Sequence, residues 1–175
     1  LACKRALELP ESALALPHFA GSGLPDMEPA ARGLLAGLSL TDEPTDLLAA
    51  LVRGQTLEIG RCLADWARAG LQVNELVAFG GGARWPELLQ LKADLLEIPV
   101  RKANRPEPGC FGAFLLALKA LRGAEAVKAL LEVENQPAAV ACYYPRAEYA
   151  ALASVLKQRY TALTKASQQF LKESS

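Results

Sequence analysis

Three consecutive glycines, Gly80 to Gly82, stand between the apolar run "LVAF" (76–79) and the segment "WPELLQLKADLLEIPV" (85–100). Few features constrain a fold more. Four apolar residues without helical period predict a short buried strand. Pro86 suits the first turn of a helix, where its missing N–H costs nothing, so a helix is predicted from Pro86 to about Leu96. "IPV" (98–100) opens another strand, and residues 76–100 predict a compact strand–helix–strand unit. The glycines therefore mark the point where a strand turns straight into a helix. Glycine tolerates positive φ and leaves backbone N–H groups uncovered. The helix behind adds the positive end of its dipole, worth ~0.3–1 kcal/mol for one nearby negative charge. Such a junction suits a nucleotide or phosphate cradle. A tight structural turn is the alternative, and the glycines alone leave both open. Two better-known cradles do not fit. The lysine of G-x-x-x-x-G-K-[ST] is absent, and Trp85 stands where the last glycine of G-x-G-x-x-G belongs.

The rest of the chain alternates in the same way. "SALALPHFA" (12–20) begins as a short alternating strand, residues 21–33 form a Gly- and Pro-rich ordered loop, and "LLAGLSL" (34–40) is a second apolar run. Pro44, Thr45 and Asp46 open a long helix that Thr45 or Asp46 can cap. Leu48, Val52, Ile59, Leu63 and Trp66 form its apolar stripe, and Gly70 ends it. Gly54 interrupts this helix at a cost of about 1 kcal/mol relative to alanine, so a close neighbour is expected against it. Helices follow at 107–121 and over "AEAVKALLEVE" (124–134), and "AAVACYY" (138–144) is a strand or an extended segment. An amphipathic helix closes the chain from Pro145 to about Lys172, with Tyr149, Leu152, Leu156, Tyr160, Leu163 and Phe170 as its stripe. This helix can pack on its own domain or on a second copy. The pattern is α/β.

Composition removes several function classes. Lysine plus arginine and aspartate plus glutamate balance at 19 each, which gives no electrostatic case for nucleic acid or a membrane surface as a partner. No apolar run reaches the length of about 18 residues that a membrane span needs. Cysteines 3, 62, 110 and 142 include no C-x-x-C pair and His18 is the single histidine. The expectation is four reduced thiols in a cytoplasmic protein with no metal cluster. The chain opens on Leu1 rather than Met, without a signal peptide, which predicts a piece excised or processed from something longer.

Three segments then occur in a familiar order. "LPHFAGSGLPDMEPAARGLLAGLSL" (16–40), "GGGARWPELLQLKADLLEIPV" (80–100) and "EPGCFGAFLLA" (107–117) resemble, in order and spacing, the C-terminal half of FGGY-type carbohydrate kinases. Glycerol kinase, xylulokinase and fuculokinase belong to that family, and the resemblance runs from about residue 10 to 165. It implies an actin-like, ribonuclease-H-like lobe with a mixed sheet flanked by helices, the whole of residues 1–175 being one nucleotide-binding lobe. It implies transfer of the ATP γ-phosphoryl group to a sugar or polyol, a ketopentose such as xylulose being favoured here, with Mg²⁺ accompanying the nucleotide. The family diglycine matches Gly80 and Gly81, and the implied nucleotide contacts are Gly80, Gly81, Gly82, Ala83, Arg84 and Trp85. Trp85 replaces an asparagine that contacts the nucleotide in glycerol kinase; it can stack on a base or cover the pocket edge.

Glu107, Gly109 and Gly112 match the family's E-x-G/T-A-x-G-A segment beside the nucleotide loop, where close helix–sheet packing is the favoured reading of the glycines. Arg32 and Gly33 match its "ARG", after a loop in which Met27, Glu28 and Pro29 replace "WDP", and read as scaffold. Among the carboxylates, Asp26 and Glu28 read as solvated or capping, and Asp94 as lying on its helix's surface, none with a partner that would make it a general base. The resemblance places the phosphate clamp, the metal-linked aspartate and the catalytic aspartate upstream of this chain, in an N-terminal lobe that is its expected partner. This chain alone is therefore expected to bind nucleotide weakly and to catalyse nothing, with no catalytic or metal residue of its own. A homodimer is a further partner the family suggests. A kinase-like protein that binds without catalysing, and an unrelated α/β nucleotide-binding module, are the alternatives.

Overall fold

The computed structural model describes residues 2–8, 13–104, 107–134 and 140–173. A short helix, α1 (Ala2–Arg5), leads to an antiparallel ribbon of β1 (Leu14–Leu16) and β2 (Leu34–Ala36). The long helix α2 (Pro44–Arg68) follows, then β3 (Leu76–Ala78), a 3₁₀ turn at Gly81–Arg84, α3 (Pro86–Leu96) and β4 (Val100–Lys102). β3 and β4 pair in parallel, with Leu76 opposite Val100, so the strand–helix–strand unit forms as expected. The helical hairpin of α4 (Pro108–Arg122) and α5 (Ala124–Glu134) comes next, then β5 (Cys142–Tyr143), antiparallel to β4. α6 (Ala150–Glu173) ends the described chain. The result is mixed α/β, with helices flanking a mixed sheet in the order β3-β4-β5.

α3 is the centre of the packing because it is apolar on two faces. Leu91 and Leu95 join Leu16, Leu57, Leu156 and Tyr160 in the main core between α2, α6 and β1. Leu89 and Ala93 face the sheet, packed with Val100 and with Ala83 of the 3₁₀ turn. The turn thus rides on a helix held from both sides.

Several expected details differ. In α2 the buried face is Ala49, Ala50, Arg53, Gly54, Thr56 and Leu57, while Leu48 and Trp66 of the expected stripe are exposed. Small residues let α2 lie directly on β1: a Cβ at Gly54 would stand 2.1 Å from the Ala15 carbonyl oxygen, the close neighbour that the glycine called for. The cap of α2 is Glu43 rather than Thr45 or Asp46; Asp46 serves from the third helical position, its carboxylate accepting the Glu43 N–H at 2.9 Å. β1 is shorter than expected and all three of its residues are buried, because α2 covers the face that alternation would have left to solvent. β3 is only partly buried, Val77 and Phe79 being exposed at the sheet's uncovered side. The closing helix begins as a 3₁₀ turn at Ala147–Tyr149; its inner face is Leu152, Ala153, Leu156, Tyr160 and Thr164, and Phe170 is exposed. Residues 138 and 139, the start of the expected 138–144 segment, lie outside the described residues.

Two arginines tie the elements together. Arg53, 1% exposed, donates from Nε and Nη2 to the Ala6 carbonyl (3.1 and 2.8 Å) and from Nη1 to that of Ala13 (3.1 Å). It fastens α1 and the entry to β1 onto α2, and burial lowers its pKa to about 10. Asp94 is not on a helix surface: it is 1% exposed and accepts the backbone N–H of Arg146 (2.9 Å) and its Nη2 (2.7 Å). One turn earlier, Gln90 donates to the Tyr144 carbonyl at 2.9 Å. α3 therefore clips the segment that leads into α6.

Candidate functional site

The glycine turn is anchored from below and open above. Gly80 leaves β3 with φ of 78°, the left-handed region that favours glycine. Ala83, 5% exposed, plugs the turn into the small core beneath it. A Cβ at Gly80 or Gly81 would meet nothing within 4 Å, and one at Gly82 only the Leu88 side chain at 3.6 Å. Of the three, only Gly80 has a conformational need for glycine inside this chain. The first two amides of the 3₁₀ turn, those of Gly81 and Gly82, precede its first internal hydrogen bond, which Ala83 N–H makes to the Gly80 carbonyl (3.2 Å).

A cavity of about 240 Å³ lies against this turn, lined by Phe79, Gly80, Ala83, Arg84, Lys102, Ala103 and Asn104. Turn and strand end meet here because β3 and β4 are parallel neighbours: both deliver their C-terminal ends to one side of the sheet. That is where ligands sit in open α/β sheets. Of the expected contact residues, the structure brings Gly80, Ala83 and Arg84 to the cavity wall. Gly81 and Gly82 lie on the adjoining turn, and Trp85, 64% exposed, sits beyond it as the residue preceding α3. Lys102 and Asn104, at the exit of β4, were missed by sequence reasoning. The signal was present: in a parallel unit, whatever follows the second strand lands beside whatever follows the first. Two cations on the cavity wall, with the amides of Gly81 and Gly82 on the adjoining turn, suit an anion with an attached planar or apolar body. A larger cavity of about 470 Å³ between α1, α3 and residues 143–149 has both acids, Glu8 and Glu87, and bases, Lys4 and Arg146, on its wall, and no such convergence.

The other expected residues fall elsewhere. Gly109 and Gly112 do not serve helix–sheet packing: a Cβ at either meets nothing within 4 Å, and no residue of α4 is buried. Phe114, Leu116, Leu121 and Leu131 leave the α4–α5 hairpin with large apolar side chains exposed. Arg32 closes on its own loop, its Nη1 donating to the carbonyls of Ala30 and Ala31 at 2.9 Å each. Glu28 accepts the Ala30 N–H (2.9 Å). Asp26 does have a partner: Arg61 donates to it from Nη1 and Nη2 (2.8 and 2.9 Å), which holds its pKa below the ordinary carboxylate value. Neither Asp26 nor Asp94 lines the glycine-turn cavity. All four cysteines are free thiols, and among the described residues no group of three or more His, Cys, Asp or Glu side chains can hold a metal.

Residues 2–121 match the model of the FGGY family of carbohydrate kinases, C-terminal domain. The chain belongs to that family. It is 36% identical over 103 residues to the glycerol kinase of Bordetella parapertussis, an alignment covering 58% of this chain and 20% of that one. Among solved structures it is similar to a xyloylose (xylulose) kinase of Brucella ovis, with TM-score 0.78 and 26% identity over 97% of this chain and 35% of that one. The fold is also that of Plasmodium falciparum glycerol kinase, solved with ADP, at TM-score 0.63 and 18% identity over 96% and 33% of the two chains. The fold is therefore the actin-like ATPase fold of the FGGY kinases. The chain spans about a fifth to a third of the length of these kinases. Among the described residues, no helix is long and apolar enough to cross a membrane.

Proposed function

We propose that this chain is the ATP-binding C-terminal lobe of a longer cytoplasmic carbohydrate kinase, which transfers the ATP γ-phosphoryl group to a hydroxyl of a sugar or polyol, a ketopentose such as xylulose being the favoured acceptor. One observation carries the reading: among the described residues nothing requires glycine at 81 or 82, yet they form a turn beside a cavity that also presents Arg84 and Lys102. Absent side chains are useful there only if something approaches the backbone. ADP in a family member of the same fold supports an adenine nucleotide as that visitor. In this reading Gly80 to Trp85 form the nucleotide turn. The turn amides and Arg84 hold the phosphate chain, Lys102 adds charge, and Ala83 fixes the turn on its core. Trp85 is placed to cover the outer edge.

The described residues do not fit Mg²⁺, which in this proposal travels with the nucleotide. They also supply no base for an attacking hydroxyl: Asp26 and Asp94 are held by arginines away from the cavity. Phosphoryl transfer needs a phosphate clamp, metal-holding acids and a nucleophile-orienting group, and the proposal places these in the N-terminal lobe. The exposed apolar side chains of α4–α5, and the outer edge of β3 that no strand pairs among the described residues, support a larger body that covers them. Xylulose kinases among the relatives support the ketopentose acceptor, and glycerol kinases beside them support a polyol as the other candidate.

The test is calorimetric titration of this chain with ADP, beside Gly81→Val. A Cβ at position 81 clashes with nothing in the chain, so the variant should melt like the parent and lose ADP binding at least tenfold, about 1.4 kcal/mol. Equal binding by both removes the turn from the site. Sugar phosphorylation by this chain alone, in a panel with Mg-ATP, xylulose, ribulose, fuculose and glycerol, would refute the assignment of catalysis to the other lobe.

A further inference from the structure

The ion pair of Arg84 with Glu107 contributes little to the fold. Their closest atoms, Nη2 and Oε1, are 3.7 Å apart, and the side chains are 68% and 63% exposed. A pair so loose and so wet adds almost nothing to stability. Its position is the informative part. Arg84 closes the 3₁₀ turn and lines the cavity, while Glu107 immediately precedes Pro108 at the start of α4. A carboxylate at that position ordinarily turns to the unsatisfied amides of the first helical turn. Glu107 makes no such bond. It faces Arg84 instead, leaving an acid beside the cation best suited to grip an entering anion.

We propose that Arg84 and Glu107 form a phosphate-responsive latch on the glycine-turn cavity. The proposal rests on the nucleotide reading above and adds how that site discriminates between ligands. Without phosphate, Glu107 holds the Arg84 guanidinium at the cavity mouth. A phosphate chain displaces Glu107 because it offers the guanidinium two parallel charge-assisted hydrogen bonds. The released carboxylate is repelled by the incoming charge and turns to the α4 amides, where the helix dipole favours it. No covalent bond changes. The latch lowers affinity for nucleotides below what the turn alone would give, and it leaves a phosphate-free nucleoside with no means of opening it. Lys102, which also lines the cavity, is not in the pair, and so supplies attraction that the latch does not gate.

The experiment titrates this chain and three variants, Glu107→Gln, Arg84→Gln and the double variant, with ADP and with adenosine. Both side chains are largely exposed, so thermal melts of all four proteins should coincide. Glu107→Gln should bind ADP about threefold more tightly, a gain of the size that an exposed ion pair allows. Adenosine affinity should not change. In the Arg84→Gln background the Glu107→Gln gain should vanish, because no guanidinium remains to be released. The latch is overturned if Glu107→Gln leaves ADP affinity unchanged or tightens adenosine equally. It is overturned too if the gain survives without Arg84, which would mean simple repulsion of phosphate by Glu107. ADP binding to none of the four proteins overturns the nucleotide reading itself, and the latch with it.

Discussion

Gly54→Ala should destabilise this protein, although alanine is the better helix former. Position 54 is buried mid-helix in α2, where glycine costs about 1 kcal/mol relative to alanine. On propensity alone the substitution would raise stability. The structure opposes this: the new Cβ would stand 2.1 Å from the Ala15 carbonyl oxygen and 3.1 Å from its carbon, where ordinary contact begins at 3.4 Å. The obstacle is strand backbone, which cannot rotate away. α2 must therefore lift from β1, opening the contacts of Ala50 and Ala15. Overpacking of this kind costs about 1–3 kcal/mol and sometimes more. A clash this deep belongs at or above the top of that range, so the net loss after the helical gain is about 2 kcal/mol. For a chain of this size that lowers Tm by roughly 4–8 °C. Gly60 in the same helix is the control. Its Cβ would meet only the Leu96 Cδ2 atom at 3.2 Å, the movable end of a side chain, so Gly60→Ala should leave Tm unchanged or raise it by about 2–4 °C. Differential scanning calorimetry of the two variants decides. If Gly54→Ala melts at or above the parent, or no lower than Gly60→Ala, the backbone-contact argument is wrong.

Arg53→Met keeps most of the side-chain volume but leaves the carbonyls of Ala6 and Ala13 without their donor. At about 1–3 kcal/mol for each unsatisfied buried group, the variant should melt several degrees lower, and limited proteolysis should cut first near residues 6–13. Acid should also act on the loop held by Asp26. Because Arg61 depresses the folded-state pKa of Asp26 below its ordinary 3.8, the pair's contribution is fully present above that value. It is lost as pH falls through the lower, folded-state pKa. A melt series from pH 6 downwards should therefore show a decline below about pH 4 that shrinks in Asp26→Asn, and an unchanged slope in that variant would show that other carboxylates account for it.

The fold was legible where residues of one kind repeat. The glycine turn, Pro86 and the two apolar runs around them specified the parallel β3–α3–β4 unit, because only one arrangement satisfies a strand, a break and a helix in twenty-five residues. α2 was harder. Its helix was evident, but its buried face is made of Ala49, Ala50, Gly54 and Thr56 around Arg53. Hydrophobic periodicity weights large residues, so it selected the exposed Leu48 and Trp66 instead. Only the misplaced Gly54 betrayed that something passes close to this helix. Asp94 misled for a related reason. A lone acid in a helix reads as solvent-facing until its partner is known, and Arg146 lies 52 residues away in sequence.

The candidate site shows the same division. Gly80 to Trp85 were expected at the nucleotide because the glycine run before a helix suits a cradle and the segment resembles that of the FGGY kinases. Lys102 and Asn104 were not, because a lysine and an asparagine after a short strand have many uses. What distinguishes the kinds of glycine is the space around them. Gly54 is filled from within the chain, Gly80 by its own backbone angle, and Gly81, Gly109 and Gly112 by nothing in the described chain. Helix propensity argues against glycine at 112 by about 1 kcal/mol. Gly109 and Gly112 in α4, beside apolar side chains left exposed among the described residues, are explained if another body approaches there. The same reasoning that assigns a ligand to the turn thus assigns a covering surface to α4. The two are separable in experiment: Leu121→Glu, at a side chain 81% exposed, should leave ADP binding and thermal stability intact while weakening association with the N-terminal lobe supplied as a separate chain.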